Sequence, residues 1–249
     1  HITFHYEKRA LFHNLSLQID DGEFCALMGP NGSGKTTLLK CISGLLPLVD
    51  GQICINGHAL KDYTARDLAK TVAYVPQHQD IIFDISVYDL VMMGRNPYQN
   101  RWQIFNNEDD IIVMEMLEKC HLRELKDRML SELSGGELQR SLVARAMAQQ
   151  TPIMLLDEPL SNLDVAHKFE IMDILRKLNR EENVLILLIV HDFPMALEYA
   201  TQAILLNDGQ LVQHDVISAV LSPENIRKCF GLGTEFEISA SGNISKRQF

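Results

Sequence analysis

The stretch Gly29-Pro30-Asn31-Gly32-Ser33-Gly34-Lys35-Thr36-Thr37 is a complete G-x-x-x-x-G-K-T, and it constrains the chain more than any other feature. Phe24-Cys25-Ala26-Leu27-Met28 before it is an apolar run fit for a buried strand, and Leu38-Leu39-Lys40-Cys41-Ile42 after it continues as a helix. Strand, glycine loop and helix in that order are the context this motif requires. The glycines let successive backbone N–H groups turn inward on a phosphate, while the new helix presents its positive end to the same anion. Lys35 then supplies a point charge to the outer phosphates of a nucleoside triphosphate, and Thr36 a hydroxyl to the accompanying magnesium ion.

A length of 249 residues allows a substantial core, in one large domain or two small ones. The longest wholly apolar run, Val184 to Val190, falls far short of the ~20 residues of a membrane span, and no charged-then-apolar leader opens the sequence. A chain soluble by itself is the expectation. Ile2-Thr3-Phe4-His5-Tyr6 reads as a strand already under way, so residues are expected before His1. Cys25, Cys41, Cys54, Cys120 and Cys229 form no C-x-x-C and read as core packing in a reducing compartment. The formal net charge of −10 argues against a nucleic-acid binder and against broad adhesion to acidic lipid.

Ile2 to Tyr6 and Leu15 to Ile19 alternate as strands, and Gly51 to Ile55 with Asn56-Gly57 reads as a hairpin, together a small antiparallel sheet around the nucleotide-binding strand. Tyr6 is the aromatic placed against a base, or else a half-buried strand tyrosine. Thr71 to Pro76 is another apolar run, ending on Gln77. Ser86-Val87-Tyr88-Asp89 then opens a helix that Gly94-Arg95-Asn96-Pro97 stops. Ile111, Ile112, Met114, Met116 and Leu117 recur at helical spacing, so an all-helical insertion is expected from about Ser86 to Gln149. Strand texture returns at Ile153 to Leu156 and Val184 to Val190, with a helix from Val165 to about Asn179 between them. A helix from Pro194 to Ala200, a strand Ala203 to Leu206, the turn Asp208-Gly209 and a last helix near Pro223 lead to a polar tail after Gly231.

Unalternating apolar runs separated by helices indicate a parallel sheet buried on both faces, whose ligands sit at the carboxyl ends of its strands. The phosphate loop, Gln77, Asp157-Glu158 and His191 all follow such runs. Asp157 and Glu158 are expected on opposite sides of a strand, Asp157 holding magnesium and Glu158 orienting a water for in-line attack on the γ-phosphate. His191 can donate to that phosphate, and Gln77 can reach the metal or the water; either one taken alone reads better as a capped strand end. His58, His121 and His167 read as solvated, and no zinc spacing is present. Ser134-Gly135-Gly136 at the start of a strong helix makes a second anion site, or a plain N-cap.

Leu133-Ser134-Gly135-Gly136-Glu137-Leu138-Gln139-Arg140 resembles the signature motif of ATP-binding-cassette (ABC) ATPases. The phosphate loop, Gln77, Leu155-Leu156-Asp157-Glu158-Pro159, Ser161-Asn162-Leu163-Asp164 and His191-Asp192 accompany it, so the resemblance covers nearly the whole chain. It implies an α/β fold: a P-loop NTPase (RecA-like) core with a parallel sheet over about 1–85 and 150–225, carrying a small antiparallel β subdomain. A helical subdomain would occupy about 86–149, with a C-terminal tail over about 226–249. It also implies that Tyr6 stacks on adenine, with ATP and Mg2+ as cofactors. Two copies would form a head-to-tail dimer, Ser134, Gly135 and Gly136 of one contacting the γ-phosphate held by the other and Asp164 lying across the seam. Val91 to Tyr98 and Glu224 to Gly231 look like ATPases of iron-siderophore, haem and cobalamin importers. The implied setting is the cytoplasmic face of a membrane, on permease subunits served by a substrate-binding protein. Asn162 departs from the family, many members of which carry alanine there. A soluble cassette ATPase acting on DNA or ribosomes is the alternative. It predicts long coiled-coil insertions, paired cassettes or a basic surface, none of which the sequence has.

Overall fold

A strand buried on both faces needs apolar residues throughout, and Phe24–Met28 and Leu185–Ile189 are buried at every position. In the computed structural model the described residues are 2–6, 9–77, 84–99, 106–233, 236–239 and 241–246, the side chains of residues 6, 9 and 246 excepted. By its contacts the chain divides into two compact units, His1–Asp62 with Leu185–Phe249, and Tyr63–Val184.

In the first unit Phe24–Met28 lies between Leu185–Ile189 and Gln202–Asn207, parallel to both, and Gln210–Val216 adds an antiparallel edge. The hairpin between the last two strands turns on Asp208 (φ 46°) and Gly209 (φ 72°), the left-handed pair that a two-residue hairpin needs. The helix Lys35–Ile42 buries Leu38, Leu39 and Cys41. Each such leucine contributes about 1.5–3 kcal/mol by leaving water. A separate antiparallel sheet sets Arg9–Leu15 and Asp50–Gly51 on either side of Ile2–Tyr6. Asn56-Gly57 joins the small hairpin of Cys54–Ile55 and His58–Ala59. The tail carries one more hairpin, Phe236–Ile238 with Ile244–Lys246.

In the second unit Val72–Val75 runs parallel to Ile153–Leu156. The helices Val87–Met92, Asn107–Lys119 and Gly135–Ala148 pack on one another, and Val165–Glu182 packs on the last of them. Ser86 opens the first by accepting the Asp89 N–H at 3.1 Å. The α-helix ends at Met92, close to the stop expected at Gly94 to Pro97, and the chain goes on through that stretch as a 3-10 turn, Met93–Tyr98. A Cβ on Gly94 would lie 2.2 Å from the Arg145 carbonyl oxygen, so glycine there serves close helix packing. Ile111, one of the apolar residues at helical spacing, is 66% exposed, and Val113 holds an inward position. Cys54 is exposed, whereas the other four cysteines are buried.

Candidate functional site

In the first unit the chain leaves the Phe24–Met28 strand at Gly29 with φ 146°, and a Cβ there would fall 2.1 Å from the Leu206 carbonyl oxygen. Gly34, at φ 103°, sits against the Phe12 ring, which a Cβ would approach to 2.6 Å. Backbone alone fits at both places. Gly34 is the N-cap of the Lys35–Ile42 helix and gives it no side-chain cap, so the first N–H groups of the helix face the loop. Lys35 is buried and donates to the carbonyl oxygens of Gly29 and Pro30, both at 2.9 Å. Its charge is thereby held beside the loop. Ser33 is 2% exposed and its Oγ has no hydrogen-bond partner among the described residues. A buried hydroxyl left so calls for a polar occupant, and a phosphate oxygen meets that need. Thr36 is half-buried and Thr37 buried, on the first turn of the helix. The expected stacking of the Tyr6 ring lies outside the described residues. His191 lies just past the Leu185–Ile189 strand and is exposed, and Asp192 after it caps the next helix by accepting the Met195 N–H at 3.0 Å.

In the second unit Asp157 is 1% exposed at the end of the Ile153–Leu156 strand, its N–H bonded to the Val75 carbonyl at 2.9 Å. Tyr74, to which the sequence assigned no role, donates its hydroxyl to Asp157 Oδ2 at 3.2 Å. Burial, and then the Asp157 charge, pushes the phenol well up, so the proton stays on tyrosine. The signal available in the sequence was a polar-tipped aromatic inside an otherwise apolar run. Gln77 donates to Glu158 Oε2 at 2.7 Å, which fixes the orientation of that carboxylate. The expected strand alternation of Asp157 and Glu158 does not occur. The strand ends at Leu156, and Glu158 has φ 50°, a left-handed conformation uncommon for glutamate. Asn162 also has a positive φ, 60°, a conformation asparagine adopts more readily than alanine.

Ser134 is the N-cap of Gly135–Ala148, in a capping box whose other half is Glu137. Its Oγ accepts the Glu137 N–H at 3.3 Å, and its N–H donates to Glu137 Oε2 at 2.8 Å. A hydroxyl that accepts still has a hydrogen to donate. Asp164 caps Val165–Glu182 by accepting the His167 N–H at 2.9 Å. His167, expected in solvent, is half-buried instead, since its ring binds Asp164 on one side and lies against Gly136 on the other.

The Ser134 N–H, then its hydroxyl, holds Glu137 below the usual carboxylate range, and the backbone N–H of His167, then its ring, does the same for Asp164. A lowered native pKa means support present at neutral pH and lost as pH falls through the native value. In an acid titration followed by NMR, the Ser134 amide will therefore shift with an apparent pKa below that of a free glutamate. A midpoint at or above the free value contradicts the capping box.

A model of the family described as ABC transporter matches residues 12–161. The chain belongs to the ABC transporter family. It is an ATPase with the cassette fold of a P-loop NTPase, and it binds ATP. The ferric enterobactin transport ATP-binding protein FepC of Escherichia coli (strain K12) is 34% identical over 231 residues, 93% of this chain and 85% of that protein. The petrobactin import ATP-binding protein FpuC of Bacillus anthracis is 34% identical over 252 residues, 99% of this chain and 93% of that protein. Among solved structures, one described as an inward-facing metal-chelate type ABC transporter superposes with a TM-score of 0.81 at 29% identity, covering 93% of this chain and 87% of that one. A dimeric cassette in a post-hydrolysis state with ADP and Pi gives 0.75 at 28% identity, covering 87% of this chain and 95% of that one. Among the described residues no helix of this ABC ATPase is long and apolar enough to cross a membrane.

Proposed function

We propose that this ABC ATPase is the energising subunit of a membrane importer for a metal chelate, such as an iron-siderophore complex, haem or cobalamin. It works as a homodimer on separate permease subunits, at the cytoplasmic face of the membrane, with a substrate-binding protein delivering cargo. Likeness to FepC and FpuC over nine-tenths or more of this chain carries the reading.

The residue roles follow from their chemistry. Lys35, Ser33 and the uncapped helix start at Gly34 hold the β- and γ-phosphates, with the rest of the Gly29 to Thr37 loop closing around them. Tyr6 stacks on adenine. Thr36, Asp157 and Gln77 are the residues suited to hold Mg2+, as hydroxyl, carboxylate and amide oxygens. When bound, the ion would neutralise charge developing on the phosphates. Glu158, oriented by Gln77, accepts a proton from the attacking water. His191 donates to the γ-phosphate. Ser134, Gly135, Gly136 and Asp164 complete the pocket of the second copy, so ATP joins the protomers and hydrolysis releases them.

The test is to reconstitute the chain with the membrane partner it pulls down and screen ferric siderophores, haem and corrinoids for uptake. ATP-dependent accumulation of one such chelate is expected. Copurification with nucleic acid or ribosomes, and with no membrane subunit, overturns the proposal in favour of a soluble cassette.

A further inference from the structure

We propose that His167 is a positioning residue that fastens Asp164 to the Ser134-Gly135-Gly136 turn within one protomer, so that both are presented to the second copy's nucleotide as one piece. This rests on the assignment of those residues to the partner's pocket.

The backbone N–H of His167 and its ring Nδ1 both meet Asp164 Oδ1, at 2.9 and 2.7 Å. An ionised carboxylate only accepts, so Nδ1 carries its hydrogen and donates it. The ring's other edge lies on Gly136, where a Cβ would stand 2.3 Å from Cδ2 and 2.8 Å from Nε2. Gly135 beside it is different: a Cβ there would meet nothing within 4 Å. Of the paired glycines, Gly136 alone is bare to seat the imidazole. Capping the helix would need only the Asp164 carboxylate and the backbone N–H. The ring adds a bond to Asp164 and a seat on a different helix, which a cap does not require. One turn further along that helix Arg140, 8% exposed, donates to Glu170 at 2.6 Å and joins the same two helices again. With this second fastening the helix starts at Gly135 and Val165 resist sliding past each other, and the His167 ring sets the loops ahead of them.

A positioning residue acts on turnover through the group it holds. MgATP hydrolysis by the full chain is compared for wild type, Asp164→Ala, His167→Phe and the double variant, with unfolding midpoints as the check on folding. Phenylalanine keeps a ring near Gly136 but cannot donate to Asp164. Each single change is expected to lower kcat by roughly tenfold, the scale of a small misplacement of reacting groups, with KM nearly unchanged. The double variant should be no slower than Asp164→Ala, because both changes break one unit. Losses that multiply in the double variant, or a His167→Phe enzyme as fast as wild type beside a slow Asp164→Ala, overturn the inference and leave the two-copy reading intact. An Asp164→Ala enzyme at the wild-type rate overturns the two-copy reading itself. Imidazole nitrogen NMR supplies a readout without turnover. The Nδ1–H signal bonded to Asp164 should survive Gly135→Ala and be lost in Gly136→Ala, and its survival in both would place the ring elsewhere.

Discussion

Changing Glu158 to glutamine is expected to lower ATP turnover by about 10²- to 10⁴-fold, the usual contribution of a positioned general base, while leaving nucleotide binding in place. The amide oxygen of glutamine can still accept the bond that Gln77 donates at 2.7 Å, so the loop after Asp157 keeps its shape. What the variant loses is the capacity to take a proton from water at neutral pH. On the two-copy proposal, ATP bridging the copies would then stay whole and the dimer would accumulate. Light scattering at saturating MgATP should therefore report twice the monomer mass for Glu158→Gln and mainly monomer once ADP replaces ATP. Turnover at the wild-type rate would remove Glu158 from the role of base. A chain that stays monomeric with intact ATP would remove the two-copy site as a whole, together with the parts assigned to Ser134 and Asp164.

What could be read from the sequence divides by the range of the interaction. The phosphate loop was legible because its glycines, lysine and threonines are neighbours in the chain, and their backbone demands at Gly29 and Gly34 are local. Helix starts at Ser86 and Ser134 were likewise visible, since a cap reaches only three residues. Period-2 reasoning failed at Asp157-Glu158 because it holds only while the backbone stays extended, and the chain turns left-handed at Glu158. Tyr74 on Asp157 and His167 on Gly136 depend on which strand or helix lies alongside, which spacing along the chain does not encode. Ile111 and Val113 show the same limit within one helix: both are apolar, and only the packing partners decide which faces inward.

The Gly94-Arg95-Asn96-Pro97 stretch was legible as punctuation and as a subfamily likeness, but its largest physical role is burial of a charge. Arg95 is 5% exposed, donates from Nε to Asp109 at 2.8 Å, and reaches the Ala148 carbonyl and Gln150 Oε1 at the same distance. Its guanidinium lies 4.1 Å from the centre of the Tyr98 ring, and the Tyr98 hydroxyl donates to the Gln149 carbonyl at 3.0 Å. Asp109 also completes the capping box that opens Asn107–Lys119. One ion pair therefore ties the 3-10 turn to the start of one helix and the end of another. Asp109→Ala would leave that guanidinium buried beside neutral acceptors only, and removal of one member of a buried pair costs about 3–5 kcal/mol. Arg95→Lys should fare little better, because an ammonium cannot supply the planar fork that serves Asp109, Ala148 and Gln150 together. Replacing both residues by apolar side chains of similar volume should lose less than Asp109→Ala alone, since no charge is then stranded. Urea midpoints for the three variants give the order. If Asp109→Ala were as stable as wild type, water would have to reach Arg95, and the pair would not be the tie that holds this turn.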